Sequence, residues 1–256
     1  MEYTFLVNGF EVSAQYDDAV VETVFRPLLL KLSALQREKG GRLIVFLAAP
    51  PAVGKSTLAA FLEYLSRQDE NFIPVQALGM DGFHYHQDYI LSHTAIRDGR
   101  EVPMKSVKGA PESFDIHKLM DTLRRVRSED LRWPYYDRRL HDVVEDAVPV
   151  SEKILIIEGN WLLLDEPLWK DLECDYSIFI GGSEDALRER LIQRKIRGGL
   201  SRSEAEAFYD ACDGPNILRC MACSREANLR RELTPEGLRL RGSARGHCPL
   251  DSCLRT

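Results

Sequence analysis

The chain has 256 residues, 44% hydrophobic and 29% charged, the balance of an ordinary globular protein with room for one large α/β domain or two small ones. Lys and Arg total 34 against 40 Asp and Glu, a net charge of −6, which argues against a general binder of nucleic acid or anionic membrane. Six cysteines in this length do not make a disulfide scaffold. No apolar run reaches the length of a membrane span, and Met1-Glu2-Tyr3-Thr4-Phe5 lacks the basic and apolar regions of a signal peptide. The expectation is a soluble cytoplasmic protein, with homodimerisation left open.

In chain order, Thr4 to Ala14 alternate around Asn8-Gly9, the pattern of a β-hairpin. Asp17 and Asp18 then offer a start for a helix over Ala19 to Lys39, ended by Gly40-Gly41, with a break or kink expected at Pro27. Residues 1–41 are expected to decorate a core domain over 42–241. Leu43–Ala48 predicts a buried strand and Lys55–Arg67 its helix. Val75–Met80 predicts the next strand, and Phe114–Arg127 a helix with Asp115 as its cap. Ile154–Ile157 and Tyr176–Ile180 are two more strands without polar alternation, which together imply a parallel sheet covered on both faces. His84–Gly109 reads as a long irregular insertion, part of a substrate-binding segment over 84–141. Trp133–His141 reads as a ligand-facing loop, with an amphipathic surface strand as the alternative. Asp213–Asn216 predicts a turn before another helix, Leu238–Leu240 the end of a final hairpin, and residues 242–256 a loosely held tail.

The segment between the first strand and its helix carries the clearest chemistry. Ala49-Pro50-Pro51-Ala52-Val53-Gly54-Lys55-Ser56-Thr57 matches the phosphate-cradling P-loop, with Ala49 in the place of the first glycine. An alanine is tolerable there if its φ is negative. Loop amides and the helix N-terminus can surround nucleotide phosphates, Lys55 can reach the outer ones, and the Ser56 hydroxyl suits Mg2+.

Asp81 follows a strand directly, where a carboxylate can take a proton from a hydroxyl or hold Mg2+; an Asp-Gly turn is the alternative. Glu158 ends an apolar strand in a Walker-B-like arrangement that supports Mg2+. Arg190, Arg194 and Arg197 recur at i, i+4 and i+7, within a sector of roughly 60°. With Gly198-Gly199 as a hinge, they suggest a lid over 190–200 that closes on a phosphoryl group. Cys220 and Cys223 have zinc-like spacing, with His247, Cys248 and Cys253 as remote partners, but a helix with two small buried side chains accounts for them better.

Taken together, these residues resemble the phosphoribulokinase/uridine kinase/bacterial pantothenate kinase superfamily of P-loop kinases. The nearest branch is that of the nucleoside kinase-like or fructose transport system kinase proteins. The likeness runs from about Thr4 to Leu240. It is carried by Pro50–Thr57, Met80–His84, Lys108–Asp115, Tyr136-Asp137 with His141, Glu158–Trp161, Arg194 with Arg197, and Asp213–Asn216. The resemblance implies a three-layer α/β/α fold of P-loop NTPase type, with a mainly parallel central sheet plus an N-terminal β-hairpin and helix. It implies Asp81 as catalytic base, Glu158 as a Mg2+ ligand, and Glu112, Tyr136 and His141 as contacts to the acceptor. Arg138 and Arg139 depart from the uridine kinase pattern, as does Glu at 112 in place of Asp. The expected activity is ATP- and Mg2+-dependent phosphorylation of a hydroxyl on a small metabolite: a sugar, a nucleoside or a pantothenate-like alcohol. An ATP-binding regulator without transfer chemistry is the alternative.

Overall fold

In the computed structural model, which describes residues 2–7, 10–97, 99–234 and 237–239, the chain opens on the expected hairpin. Strand β1 (Glu2–Val7) pairs antiparallel with β2 (Phe10–Gln15), Val7 opposite Phe10; the Asn8-Gly9 turn lies outside the described residues. The Asp17 side chain accepts from Ala19 N at 2.8 Å and caps α1 (Asp18–Val20). A π-helical stretch, Val21–Phe25, then leads into α2 (Arg26–Lys39). Pro27 lacks an N–H and its ring crowds the carbonyl four residues back. The backbone answers by widening to a π turn just ahead of it, so the helix continues rather than breaks. Gly40, at φ 73°, ends it.

Then follow β3 (Leu43–Ala48), α3 (Lys55–Ser66) and β4 (Val75–Gly79), close to their expected bounds. The 84–109 segment corrects the expectation of an irregular insertion. It holds α4 (Gln87–Ser92) and a hairpin of β5 (Thr94–Arg97) and β6 (Arg100–Pro103). These close on a small core of Ile90, Ala95, Met104, Val107 and Ala110. Elements of four to six residues are too short for a periodic signal, which is why the segment read as loop.

Helix α5 (Ile116–Arg125) begins at Asp115, whose Oδ1 accepts from Lys118 N at 2.9 Å. The stretch read as a ligand-facing loop is mostly strand: β7 (Arg132–Asp137) pairs with β8 (Asp142–Pro149), and only residues 138–141 form the turn. A register shift between Trp133 and Tyr135, at Pro134, breaks the alternation that would have announced it. Strands β9 (Ile154–Gly159) and β10 (Tyr176–Gly182) lead to α6 (Glu184–Arg197), capped by Ser183, and α7 (Arg202–Phe208). Asp213–Asn216 is not a turn. A π-helical stretch, Tyr209–Asp213, runs into α8 (Gly214–Ala222), because Pro215 sits in the first turn of α8, where a missing N–H leaves no bond unmade. Cys220 is buried in α8 and Cys223 follows its end. Strand β11 (Leu229–Thr234) pairs antiparallel with β12 (Gly237–Arg239) in the expected hairpin; Leu240, His247, Cys248, Cys253 and the rest of 242–256 lie outside the described residues.

The central sheet runs β12-β11-β10-β3-β9-β4, parallel from β11 to β4. Alternate residues of its middle strands feed two cores. Leu43, Val45 and Leu47 face α2, α3 and α6, while Ile44, Phe46 and Ala48 face α5 and the segment around Trp161. That is the three-layer α/β/α arrangement with its added hairpin. The hairpin reaches the P-loop helix through rings: Tyr3 and Phe61 have centroids 4.9 Å apart. Among the described residues, no helix is long and apolar enough to cross a membrane.

Candidate active site

Sheet register brings the chemistry together. Leu47 pairs with Glu158 and Gly79 pairs with Glu158 from the other side. The ends of β3, β9 and β4 therefore lie abreast, about 4.8 Å between neighbours. The 49–57 loop, Glu158 and Asp81 all leave the sheet at this edge, the carboxyl end, where open α/β sheets place ligands. A larger hollow of about 830 Å3, lined by Arg127, Lys170, Asp175 and Arg225 among others, lies at the opposite edge, beside the starts of the strands.

The loop has the backbone such a cradle needs. Ala49 is fully buried and is not among the residues with positive φ, so an alanine replaces glycine without strain. Pro50 and Pro51 lead to Ala52 at φ 67° and Gly54 at φ 98°. Val53 anchors the loop in the core. No side chain caps α3 at Gly54, so its first amides, those of Lys55, Ser56 and Thr57, remain open to an anion, while Leu58 N already donates to the Gly54 carbonyl at 2.9 Å. Arg190 of α6 donates to the Ala52 carbonyl at 3.3 Å, tying the arginine face to the loop.

Behind the loop, Ser56 Oγ donates to Glu158 Oε1 at 2.7 Å, and Lys55 Nζ stands 3.9 Å from Glu158 Oε2. Burial pushes the Glu158 carboxyl above its ordinary range; the Lys55 charge pulls it back, and Asp81 pushes it up again. A hydroxyl and a buried carboxylate, with a second carboxylate nearby, form a set of hard oxygen donors that fits Mg2+.

Asp81 lies in a 3-10 turn, Met80–Phe83, directly after β4. Its Oδ2 is 3.6 Å from Arg138 Nη2. The β7–β8 hairpin is pressed against this turn: a Cβ on Gly82 would lie 2.2 Å from the Pro134 carbonyl oxygen, and Trp133 Nε1 donates to the Gly79 carbonyl at 2.9 Å. Between hairpin and α3 is a cavity of about 200 Å3, lined by Ser56, Asp81, Tyr135, Tyr136 and Glu158 among others. It is below the roughly 300–1,000 Å3 typical of drug-sized ligands and suits a small metabolite. His84 lies behind Tyr136, the two ring centroids 5.5 Å apart. It stacks on Phe114 at 3.8 Å, and its Nδ1 lies 3.1 Å from the Ser113 carbonyl oxygen. Burial holds its imidazole below the ordinary value, and so neutral near pH 7.

The arginine helix faces the same cleft. Desolvation, then repulsion from Arg138, lowers the Arg194 guanidinium from its ordinary value although part of its surface is open; Asp213 and Asp81 act in the opposite sense, and Arg197 adds to the lowering. Arg197 is exposed and donates to the Gln193 carbonyl of its own helix at 3.4 Å. Gly199, at φ 102°, follows α6 where a hinge was expected.

Of the expected acceptor contacts, Tyr136 lines the cavity. His141 stands exposed in the hairpin turn at φ 52°, its carbonyl accepting from Lys108 at 3.4 Å. Glu112 is not among the cavity-lining residues. Its Oε1 accepts from Arg219 Nη1 at 2.7 Å, and its Oε2 is buried without a partner. Arg219 also grips Glu166, Nε to Oε1 at 2.8 Å and Nη2 to Oε2 at 2.5 Å. Sequence reasoning missed the roles of Arg219, Lys108 and Gly82; an arginine one turn beyond Asn216 on α8 was a signal only once α8 was known to lie beside Glu112.

Comparison with known proteins agrees with this fold. A Schizosaccharomyces pombe protein described as a "putative uridine kinase" is 32% identical over 176 residues, 65% of this chain and 72% of its own length. The chain belongs to the uridine kinase and pantothenate kinase superfamily of P-loop kinases. YggC of Escherichia coli K12, described as uncharacterised, is 48% identical over 240 residues, covering 93% of this chain and 98% of its own. The crystal structure of a "putative fructose transport system kinase" from Silicibacter sp. TM1040 superposes with a TM-score of 0.67 at 30% identity, over 79% of this chain and 98% of that one. No protein-family model matches the chain. The chain is thus related to small-molecule kinases.

Proposed function

We propose that the protein is an ATP- and Mg2+-dependent phosphotransferase acting on a hydroxyl of a small metabolite. The observation that carries this is the convergence of the 49–57 loop, the Ser56–Glu158 contact and Asp81 on one small cavity. A nucleotide-binding regulator needs no carboxylate at the acceptor side of its phosphates.

In this reading the loop amides, Lys55 and the open end of α3 hold the triphosphate of ATP. Ser56 and Glu158 hold Mg2+, which when bound supplies charge neutralisation at the phosphates. Asp81 accepts the proton of the acceptor hydroxyl. The acceptor oxygen forms its bond to the γ-phosphorus, the bond from that phosphorus to the β–γ bridging oxygen breaks, and ADP leaves with the electron pair. Arg194 and Arg197, swung on the Gly198-Gly199 segment, close over the transferring group and exclude water. Tyr136, His141 and Glu112 are proposed acceptor contacts, Tyr136 with the best support because its ring lines the cavity.

The test is a coupled ADP-release screen across sugars, nucleosides and vitamin alcohols, with Asp81→Asn beside the wild type. The expected result is acceptor-dependent turnover that falls about 10²- to 10⁴-fold in Asp81→Asn, with ATP affinity retained. Undiminished transfer by that variant refutes the assignment.

A further inference from the structure

The acceptor side of the cleft carries two cations that nucleotide handling does not require. Arg138 leaves the β7–β8 turn from a braced backbone, since Asp137 Oδ1 accepts from Arg139 N at 2.7 Å and from Leu140 N at 3.1 Å. Its guanidinium stands 3.6 Å from Asp81 Oδ2. That spacing is built into the fold, because Gly82 lies against Pro134 and Trp133 against Gly79. Lys108 arrives from the 84–109 segment. Its Nζ donates to Gln87 Oε1 at 2.5 Å and to the His141 carbonyl at 3.4 Å, and lies 5.2 Å from the centroid of the Tyr136 ring. Those partners are all neutral, so its charge is uncompensated by them.

As a structural device the Arg138–Asp81 pair is weak. The two side chains are 40% and 37% exposed, and pairs that open contribute little stability. On the reaction path it is obstructive, because the guanidinium stands 3.6 Å from the carboxylate oxygen that the acceptor hydroxyl must approach. It makes sense if the substrate replaces it. Arg138 also lies near enough to His84, Glu158 and Arg194 for its charge to act on each, so it sits among the cleft groups and does not point away from them.

We infer that the acceptor is a hydroxylated anion, an alcohol that also bears a phosphate or a carboxylate, whose anionic group takes Arg138 and Lys108 and frees Asp81 for the hydroxyl. This rests on the phosphotransferase reading above. It makes Arg138 the residue that selects the acceptor and ties selection to release of the base: a neutral alcohol leaves Arg138 on Asp81 and reacts slowly.

The test uses matched acceptors: free pentoses and hexoses, their phosphate monoesters and the corresponding aldonic acids. Each is assayed by ADP release with ATP and Mg2+, and by calorimetric binding without ATP. A charged member is expected to exceed its neutral parent in kcat/KM by about tenfold or more. Arg138→Gln should raise KM for it about 10- to 100-fold with a smaller change in kcat, while kcat/KM for the neutral parent rises, because Asp81 no longer has a guanidinium beside it. Arg138→Lys should recover much of the loss, which a merely misfolded hairpin would not do. Phosphate esters outrunning aldonic acids, or the reverse, identify which anion is read. Neutral sugars turned over as well as charged ones, or an equal loss on both in Arg138→Gln, overturns the inference and leaves the kinase reading standing. Binding of charged members that depends on Arg138, without transfer to any acceptor, refutes the kinase reading and with it the assignment of the anion as an acceptor, leaving Arg138 only as an anion-binding residue. No binding of any charged member to the wild type overturns the inference.

Discussion

Replacing Gly82 by alanine tests how the acceptor half of the cleft is built. A Cβ there would lie 2.2 Å from the Pro134 carbonyl oxygen, 2.5 Å from its carbon and 2.9 Å from Tyr135 N. All three are backbone atoms of β7, so no rotamer change relieves the contact. The hairpin must retreat by more than about 1 Å to reach an ordinary van der Waals distance. Overpacking of this kind costs about 1–3 kcal/mol, which for a chain of this size lowers Tm by about 3–10 °C. The functional cost should be larger, because Tyr135, Tyr136 and Arg138 move with the strand. A displacement of about 1 Å can lower turnover about 10²-fold. Nucleotide affinity should hold, since the contacts of the 49–57 loop do not pass through β7. Thermal unfolding, ADP release and binding of a fluorescent ATP analogue read the three effects separately. A Gly82→Ala protein with wild-type Tm and turnover would show that β7 is free to yield, and the argument that backbone contact sets the Asp81–Arg138 spacing would fall.

Glu158→Gln keeps an acceptor for Ser56 Oγ but removes the buried charge. Because burial raises the Glu158 pKa above its unfolded value near 4.5, this group favours the folded state most below that unfolded value and loses the advantage as pH rises through its folded pKa. Glu158→Gln should therefore match or exceed wild-type stability at pH 7–8 without Mg2+, in thermal melts across pH, while losing the stabilisation by MgATP that the wild type shows; a drop in metal-free stability of more than about 1 kcal/mol would contradict this. Arg219→Ala leaves Glu112 and Glu166 without their shared cation; with the three side chains only 20–29% exposed, the expected loss is about 2–4 kcal/mol in urea unfolding, and a loss below about 0.5 kcal/mol would mark the network as ornamental.

The donor half of the site was legible because it is local. Strand, loop and helix occupy Leu43 to Ser66 without interruption, and the open amides of α3 follow from Gly54 having no capping side chain. Asp81 and Glu158 were legible for a related reason. In a parallel sheet every strand delivers its next residue to the same edge, so strand-end carboxylates on β4 and β9 meet although 77 positions of sequence separate them. The expected turn at Asp213–Asn216 failed because Gly-Pro suits a helix start as well as a turn, and the sequence alone does not say whether a helical stretch precedes it.

The side of the cleft built by β7 and β8 was hard to read because the contacts that tie it to Asp81 and to the 84–109 segment are not local. Lys108, Tyr136 and Arg138 belong to short elements whose partners lie 21 to 57 positions away: Gln87 for Lys108, and Asp81 for Arg138. The bulge at Pro134 hides the alternation of β7 as well. The same construction separates two kinds of change. Gly82 and Trp133 fasten the hairpin by backbone contact and a buried indole hydrogen bond, so altering them moves everything beyond Asp81. Arg138 lies past those fastenings, in a turn whose shape is held by Asp137. Its side chain can be exchanged while the strand stays in place. A substitution in the turn therefore alters the charge beside Asp81 without disturbing the 49–57 loop and Glu158, which rest on β3, β9 and α3.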